Sequence, residues 1–240
     1  MIRLANVSKD YDGSPALKEF TLEVGPGQVV GFLGPNGAGK TTTIKLLMGM
    51  LFPTAGTVEV DGLDPLVDPI AVRHRVGYLP DVPFLYEYLS PREMLSLVGA
   101  LYPIPPATVR ERSEELFVEL GIEDRADLLI NGLSKGMRKK VALALALLHA
   151  PRVLLLDEPT SGLDPQRVRI LKDRIRRERA RGTTVLLSTH VLDVAEEVST
   201  AIAVIHRGRL VYAAGLDEAL ARARSEGRGL EDLFLDLTSS

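Results

Sequence analysis

The stretch Val29-Val30-Gly31-Phe32-Leu33-Gly34-Pro35-Asn36-Gly37-Ala38-Gly39-Lys40-Thr41-Thr42 decides the fold. Its first five residues form an apolar run suited to a buried strand. The next segment satisfies G-x-x-x-x-G-K-[ST] at Gly34, Gly39, Lys40 and Thr41, and helical character is predicted from Thr41 to Met50. Strand, glycine-rich turn and helix in that order make a phosphate-binding loop, the P-loop. The glycines let backbone N–H groups converge on an anion, and the helix N-terminus adds positive potential. Lys40 is the candidate contact to the β- and γ-phosphates of ATP, and Thr41 offers a hydroxyl to Mg2+. Pro35, Asn36, Gly37, Ala38 and Thr42 complete the cradle.

Working outward, Ile2, Leu4 and Val7, then Phe20, Leu22 and Val24, alternate with polar residues as half-buried antiparallel strands do, up to the break at Gly25-Pro26-Gly27. Residues 57–62 read as a further short strand and turn, and Val76 to Leu79 as a strand ending at Pro80. From about Ser90 to Ala150 the pattern is helical. Ser90-Pro91-Arg92-Glu93 is a capping box with proline at the first helical position, a second helix runs from about Ala107 to Leu120 and stops at Gly121, and a third begins near Ser134. Apolar strands return at Val153–Leu156 and Thr184–Ser188, separated by a basic helix near Pro165 to Arg181, and a closing hairpin turns at Arg207-Gly208-Arg209. The expected fold is α/β: a P-loop NTPase core with an N-terminal antiparallel β subdomain and an inserted helical subdomain. The expected organisation is a nucleotide-binding domain over 1–215, the helical subdomain inserted at about 82–150, and a short helical extension over 216–240.

Composition narrows the classes. At 240 residues, 45% hydrophobic and 25% charged, the chain suits one large globular domain and disfavours disorder or coiled coil. A net charge of −3 argues against a surface built to grip nucleic acid, and none is expected as a partner. The absence of cysteine leaves no disulfide framework or thiolate metal site. No signal-peptide pattern opens the chain, and the longest apolar run, Val141 to Leu148, falls far short of the ~20 residues that span a bilayer. Any membrane association is therefore expected through a partner, without direct insertion.

Val153-Leu154-Leu155-Leu156-Asp157-Glu158 places two carboxylates at the end of a buried strand. On a regular strand they would point to opposite faces, so both serve one site only if the chain turns there. Asp157 is the candidate partner of Mg2+, and Glu158, ahead of Pro159, the candidate base for an attacking water.

With these residues in view, the chain resembles the nucleotide-binding subunit of an ABC transporter from about Ile2 to Leu216. The ordered motifs that carry the resemblance are the P-loop, Tyr78-Leu79-Pro80-Asp81 at the glutamine-loop position, and Leu133-Ser134-Lys135-Gly136-Met137 at the LSGGQ signature. Asp157-Glu158, Ser161-Gly162-Leu163-Asp164, and His190 after a strand follow. The resemblance implies that Tyr11 stacks on adenine and that His190 contacts the γ-phosphate and positions water. It also implies that Ser134 and Gly136 meet the γ-phosphate of ATP held by a second nucleotide-binding subunit, and that Asp81 lies at Mg2+ and relays to a membrane permease.

Two departures stand out. Lys135 and Met137 replace the usual glycine and glutamine of the signature, and Asp81 replaces a glutamine. Tyr78-Leu79-Pro80-Asp81 and the closing Leu-Glu-Asp-Leu-Phe-Leu resemble the type-2 exporter class. This implies an ATPase at the cytoplasmic face of the cell membrane that powers export through a separate permease. Importer subunits, and less so soluble ABC ATPases, remain alternatives. Three further features read ambiguously. Arg138-Lys139-Lys140 and the arginine-rich helix after Pro165 look like solvated charge, and Phe84, Tyr86 and Tyr88 suit either core packing or contact with the permease.

Overall fold

In the computed structural model, which describes residues 1–225 and 227–239, the chain opens with a hairpin of β1 (Ile2–Tyr11) and β2 (Ser14–Val24). Next come β3 (Val29–Leu33) and α1 (Lys40–Leu47), after which β4 (Ala55–Val60) returns to pair with β1. The result is a three-stranded antiparallel sheet of order β2-β1-β4. Helix α2 (Pro69–Arg75) leads into β5 (Val76–Leu79), and then α3 (Pro91–Gly99), α4 (Pro106–Leu120) and α5 (Lys135–Leu147) form the helical stretch. Strand β6 (Val153–Asp157), α6 (Pro165–Ala180), β7 (Thr184–Thr189), α7 (Leu192–Val198), β8 (Ala201–His206) and β9 (Arg209–Gly215) follow. Helices α8 (Leu216–Ser225) and α9 (Leu230–Thr238) end the described chain. Of the extension expected over 216–240, residues 226 and 240 lie outside the described residues.

The second sheet has six strands in the order β5-β6-β7-β3-β8-β9, with β9 antiparallel to β8 and the other pairings parallel. Strands β3, β6 and β7 are buried at every position, which is why their sequences run apolar without alternation. Their C-terminal ends share one edge, where Leu33 pairs with Thr189 and Asp157 with Ser188. That register brings the P-loop, the Asp157-Glu158 turn and the residue after Thr189 to one place. Ligands of open α/β sheets bind at this edge.

The helical stretch is inserted between β5 and β6, yet it shares its core with the sheet. Phe117, Leu120, Ile130 and Val141 belong to the same buried cluster as Leu154, Leu156 and Val185. At the C-terminus, Leu230 and Leu233 of α9 are buried in a cluster with Leu33, Ile202 and Val204, so this helix docks on the sheet through its apolar stripe.

One expected boundary shifts by a turn. Helix α1 stops at Leu47 rather than Met50, because Gly49 turns left-handed at φ 62° and its close neighbour, the Pro65 carbonyl, leaves no room for a Cβ. Helix α2 went unread although Asp68 caps it, accepting from the Ala71 N–H, and Pro69 opens it. The capping box at Ser90 and Glu93 forms as expected.

Helix α6 differs more. Its solvated face is real, but Arg174 and Glu178 lie on the buried side with Leu171 and Ile175. Arg174 bridges Glu119 and Glu178 at 2.5 Å each, and the Thr183 hydroxyl donates to Glu178. The buried charges are thus mutually compensated.

Candidate nucleotide site

Gly39 caps α1 at φ 116°, where an added Cβ would stand 2.8 Å from the Ala16 carbonyl, so glycine is required by both dihedral and space. The loop folds around its own lysine. Lys40 is 6% exposed, and its Nζ donates to the carbonyls of Gly34 (2.6 Å) and Pro35 (3.2 Å). Asn36, Gly37 and Thr41 are exposed, while Gly34 and Ala38 are buried. The N-terminus of an eight-residue helix therefore opens to solvent behind a positive charge.

Asp157 closes the far side of this loop. It is 2% exposed, with Oδ2 accepting from the Thr41 hydroxyl at 2.8 Å and Oδ1 from the Ser188 hydroxyl at 2.9 Å. The next residue then breaks the strand. Glu158 has φ 45°, so the chain turns, and its side chain stays on the P-loop side as Asp157 does. Oε2 of Glu158 lies 2.8 Å from Nδ1 of His190, which donates, and 3.4 Å from the His190 N–H. Oε1 lies 3.6 Å from Lys40 Nζ, is buried, and has no hydrogen-bond partner. Lys40, Thr41, Asp157, Glu158 and His190 are thus assembled from three separate segments: the start of α1, the exit of β6 and the exit of β7.

Tyr78 borders the same corner. Burial pushes the Tyr78 hydroxyl up to about 12, and the charges of Asp157 and Asp81 push it the same way. The Thr41 hydroxyl and the buried Asp157 carboxylate, side by side at 2.8 Å, are the oxygen donors that a hard cation prefers. Among the described residues no group of three or more His, Cys, Asp or Glu gathers, so a softer, all-protein metal cage is not what this site offers.

The remaining expected residues sit elsewhere. Tyr11 is half exposed at the end of β1, with Lys9 Nζ 5.0 Å from its ring centroid. Ser134 caps α5, accepting from the Met137 N–H at 3.3 Å. Gly136 is buried against Arg167, whose Nη1 would lie 2.3 Å from an added Cβ. Among the described residues, no hydrogen bond joins Ser134 or Gly136 to Lys40, Thr41, Asp157 or Glu158. Within one chain, Ser134 and Gly136 are thus held by contacts of their own, apart from the hydrogen bonds of the P-loop corner.

Asp81, expected beside the cation, lies 3.5 Å from the ammonium of Lys139. Sequence reasoning missed Ser188, whose only signal is a hydroxyl ending an apolar run. It also misread Lys139, which is 3% exposed and not solvated. Phe84 and Tyr88, by contrast, are each 84% exposed, which rules out core packing for them.

A phosphate cradle at the C-terminal edge of a parallel sheet, facing a buried aspartate and a turned glutamate, defines the class as a P-loop ATPase. The ABC transporter family profile matches residues 17–161. The chain is 34% identical to the ABC transporter ATP-binding protein NatA of Bacillus subtilis (strain 168), over 94% of each chain. It is 37% identical to a Nod factor export ATP-binding protein I of Cupriavidus metallidurans (strain ATCC 43123 / DSM 2839 / NBRC 102507 / CH34), over 88% of this chain and 70% of that one. Among solved structures, the ATP-binding cassette MJ0796, dimeric in a post-hydrolysis state bound to ADP and Pi, matches with a TM-score of 0.80. Identity there is 28%, over 90% of this chain and 99% of that one. The chain belongs to the ABC transporter family and is an ATP-binding subunit with ATPase activity. Among the described residues, no helix is long and apolar enough to cross a membrane.

Proposed function

We propose that this subunit drives export through a separate membrane permease, working from the cytoplasmic face, and that two copies or two related subunits close on ATP to hydrolyse it. The observation that best supports the hydrolytic part is the buried, unpartnered Oε1 of Glu158 beside Lys40, with the other oxygen held by His190. A carboxylate oriented on one side and vacant on the other is arranged to take a proton from water. Lys40 and the backbone N–H groups of Gly37, Ala38, Gly39, Lys40 and Thr41 receive the phosphates, with Gly34, Pro35, Asn36 and Thr42 shaping the loop. Tyr11 stacks on the base. His190 orients Glu158 and meets the γ-phosphate.

Thr41 and Asp157 hold Mg2+, which when bound neutralises charge on the β- and γ-phosphates. Asp81 joins them only by exchanging Lys139 for the metal. Ser134 and Gly136 at the N-terminus of α5 complete the site of the opposite subunit. The dimeric relative supports this reading.

A mixing experiment tests the shared site. Lys40→Met and Ser134→Arg are each expected to abolish ATPase activity as pure proteins. Co-assembled, they form some dimers with one intact pairing of P-loop and signature, so activity should return to roughly a quarter of wild type by symmetry. A mixture that stays inactive sinks the composite site.

Export through a permease draws support from the likeness to the Nod factor export protein and from the exposed Phe84, Tyr86 and Tyr88, which suit a docking surface. Purification of the chain from detergent-solubilised membranes should carry an integral membrane protein with it in stoichiometric amount. Recovery of this chain alone from gently solubilised membranes counts against the transport reading.

A further inference from the structure

We propose that Lys139 is a positioning residue for hydrolysis: anchored by Asp81, it ties the signature helix to the turn that carries Glu158. The inference rests on the reading of Glu158 as the base.

Lys139 belongs to α5, whose N-terminal cap is Ser134. Its neighbours Arg138 and Lys140 make it look like one charge of a solvated run, but its side chain runs inward. Nζ donates to the carbonyl of Glu158 at 2.6 Å and to that of Ser161 at 3.2 Å, and lies 3.5 Å from Asp81 Oδ1. An ammonium is costly to bury without partners, and these three oxygens are what compensate it. Burial pulls the Lys139 pKa down, and Asp81 is the largest influence opposing that. Three segments thus meet at one nitrogen: the exit of β5, the signature helix and the exit of β6.

The turn from Glu158 to Ser161 is held in a conformation that non-glycine residues rarely adopt, since Glu158 has φ 45°. Such a backbone persists only where its surroundings fix it. Two bonds come from the sheet and from the turn itself: the Glu158 N–H donates to the Ser188 carbonyl at 2.9 Å, and the Ser161 N–H to the Glu158 carbonyl at 3.1 Å. Lys139 adds a charge-assisted bond from a different part of the fold, of the stronger kind. The same helix that offers Ser134 to the opposite subunit therefore grips the backbone of its own Glu158. A shift of α5 moves both. Asp81, in this arrangement, acts through Lys139.

Steady-state ATPase assays on the purified subunit, with ATP-binding titrations and melting curves on each variant, test the assignment. Lys139→Met should lower kcat at least about tenfold with KM for ATP changed by no more than about twofold, the pattern of a lost transition-state arrangement. Lys139→Gln, which keeps a donor of shorter reach, should recover part of that loss, and it carries the test if the methionine variant fails to fold. Asp81→Asn should lower kcat less, and should add nothing when combined with Lys139→Met, because both act on one contact. Glu158→Gln is the reference. If it stops turnover while both Lys139 variants keep wild-type kcat, the positioning role is overturned and the base reading survives. If Glu158→Gln itself turns over normally, the base reading falls first. A loss confined to KM, or full additivity of Asp81→Asn and Lys139→Met, also overturns the proposal.

Discussion

Glu158→Gln is expected to bind ATP with affinity within roughly threefold of wild type while kcat falls by about 10²- to 10⁴-fold, the range that general base catalysis supplies. The substitution is nearly isosteric, and the turn at Glu158 is set by backbone bonds to Ser188 and Ser161 that an amide leaves intact. The amide oxygen can still accept from Nδ1 of His190, so the orientation of the side chain survives. What is lost is the free electron pair of a negatively charged oxygen. Loss of that charge also removes repulsion toward the γ-phosphate, so the variant should accumulate as a closed, ATP-loaded dimer, visible as a larger species on gel filtration in ATP and Mg2+. Turnover within tenfold of wild type would show that another group takes the proton.

The sequence carried the hydrolytic corner to a good depth because its chemistry is local. G-x-x-x-x-G-K-T fixes its own loop, Leu156-Asp157-Glu158-Pro159 announces a strand end, and Thr189-His190 another, so Lys40, Thr41, Asp157, Glu158 and His190 were legible from short motifs. The one open question at Asp157 and Glu158, whether both face one side, could not be read from strand periodicity. It depended on a left-handed dihedral at Glu158 that is sustained by contacts from residues 19 and 30 positions away, Lys139 and Ser188. Long-range partners of this kind leave no mark on spacing. Lys139 shows the limit most plainly: flanked by Arg138 and Lys140, it has the composition of a surface residue, and only the packing of α5 against the β6 exit turns it inward. Arg174 and Glu178 fail the same way, since a charge pair buried between helices reads as surface until its partner Glu119 is brought beside it. Asp81 was legible as a departure from its family's glutamine, but its actual partner lay in a different segment.

Lys40→Met should separate binding from chemistry in the opposite sense to Glu158→Gln. Methionine keeps most of the stem that fills the interior of the loop, so the β3–α1 connection is expected to remain folded. The ammonium, however, is lost from a position 6% exposed, where bonds to phosphate oxygens would be charge-assisted and poorly screened. A hydrogen bond to a charged group is worth about 1.5–3 kcal/mol, so ATP affinity should fall by roughly 10- to 10²-fold or more, with ADP, which lacks the γ-phosphate, affected less. The carbonyls of Gly34 and Pro35 lose their donor in the nucleotide-free protein as well, so a modest drop in melting temperature is expected without nucleotide. Isothermal titration of both nucleotides against the variant resolves the two contributions. If ATP and ADP weaken equally, Lys40 serves the loop's own shape; if ATP weakens more, its charge acts on the γ-phosphate.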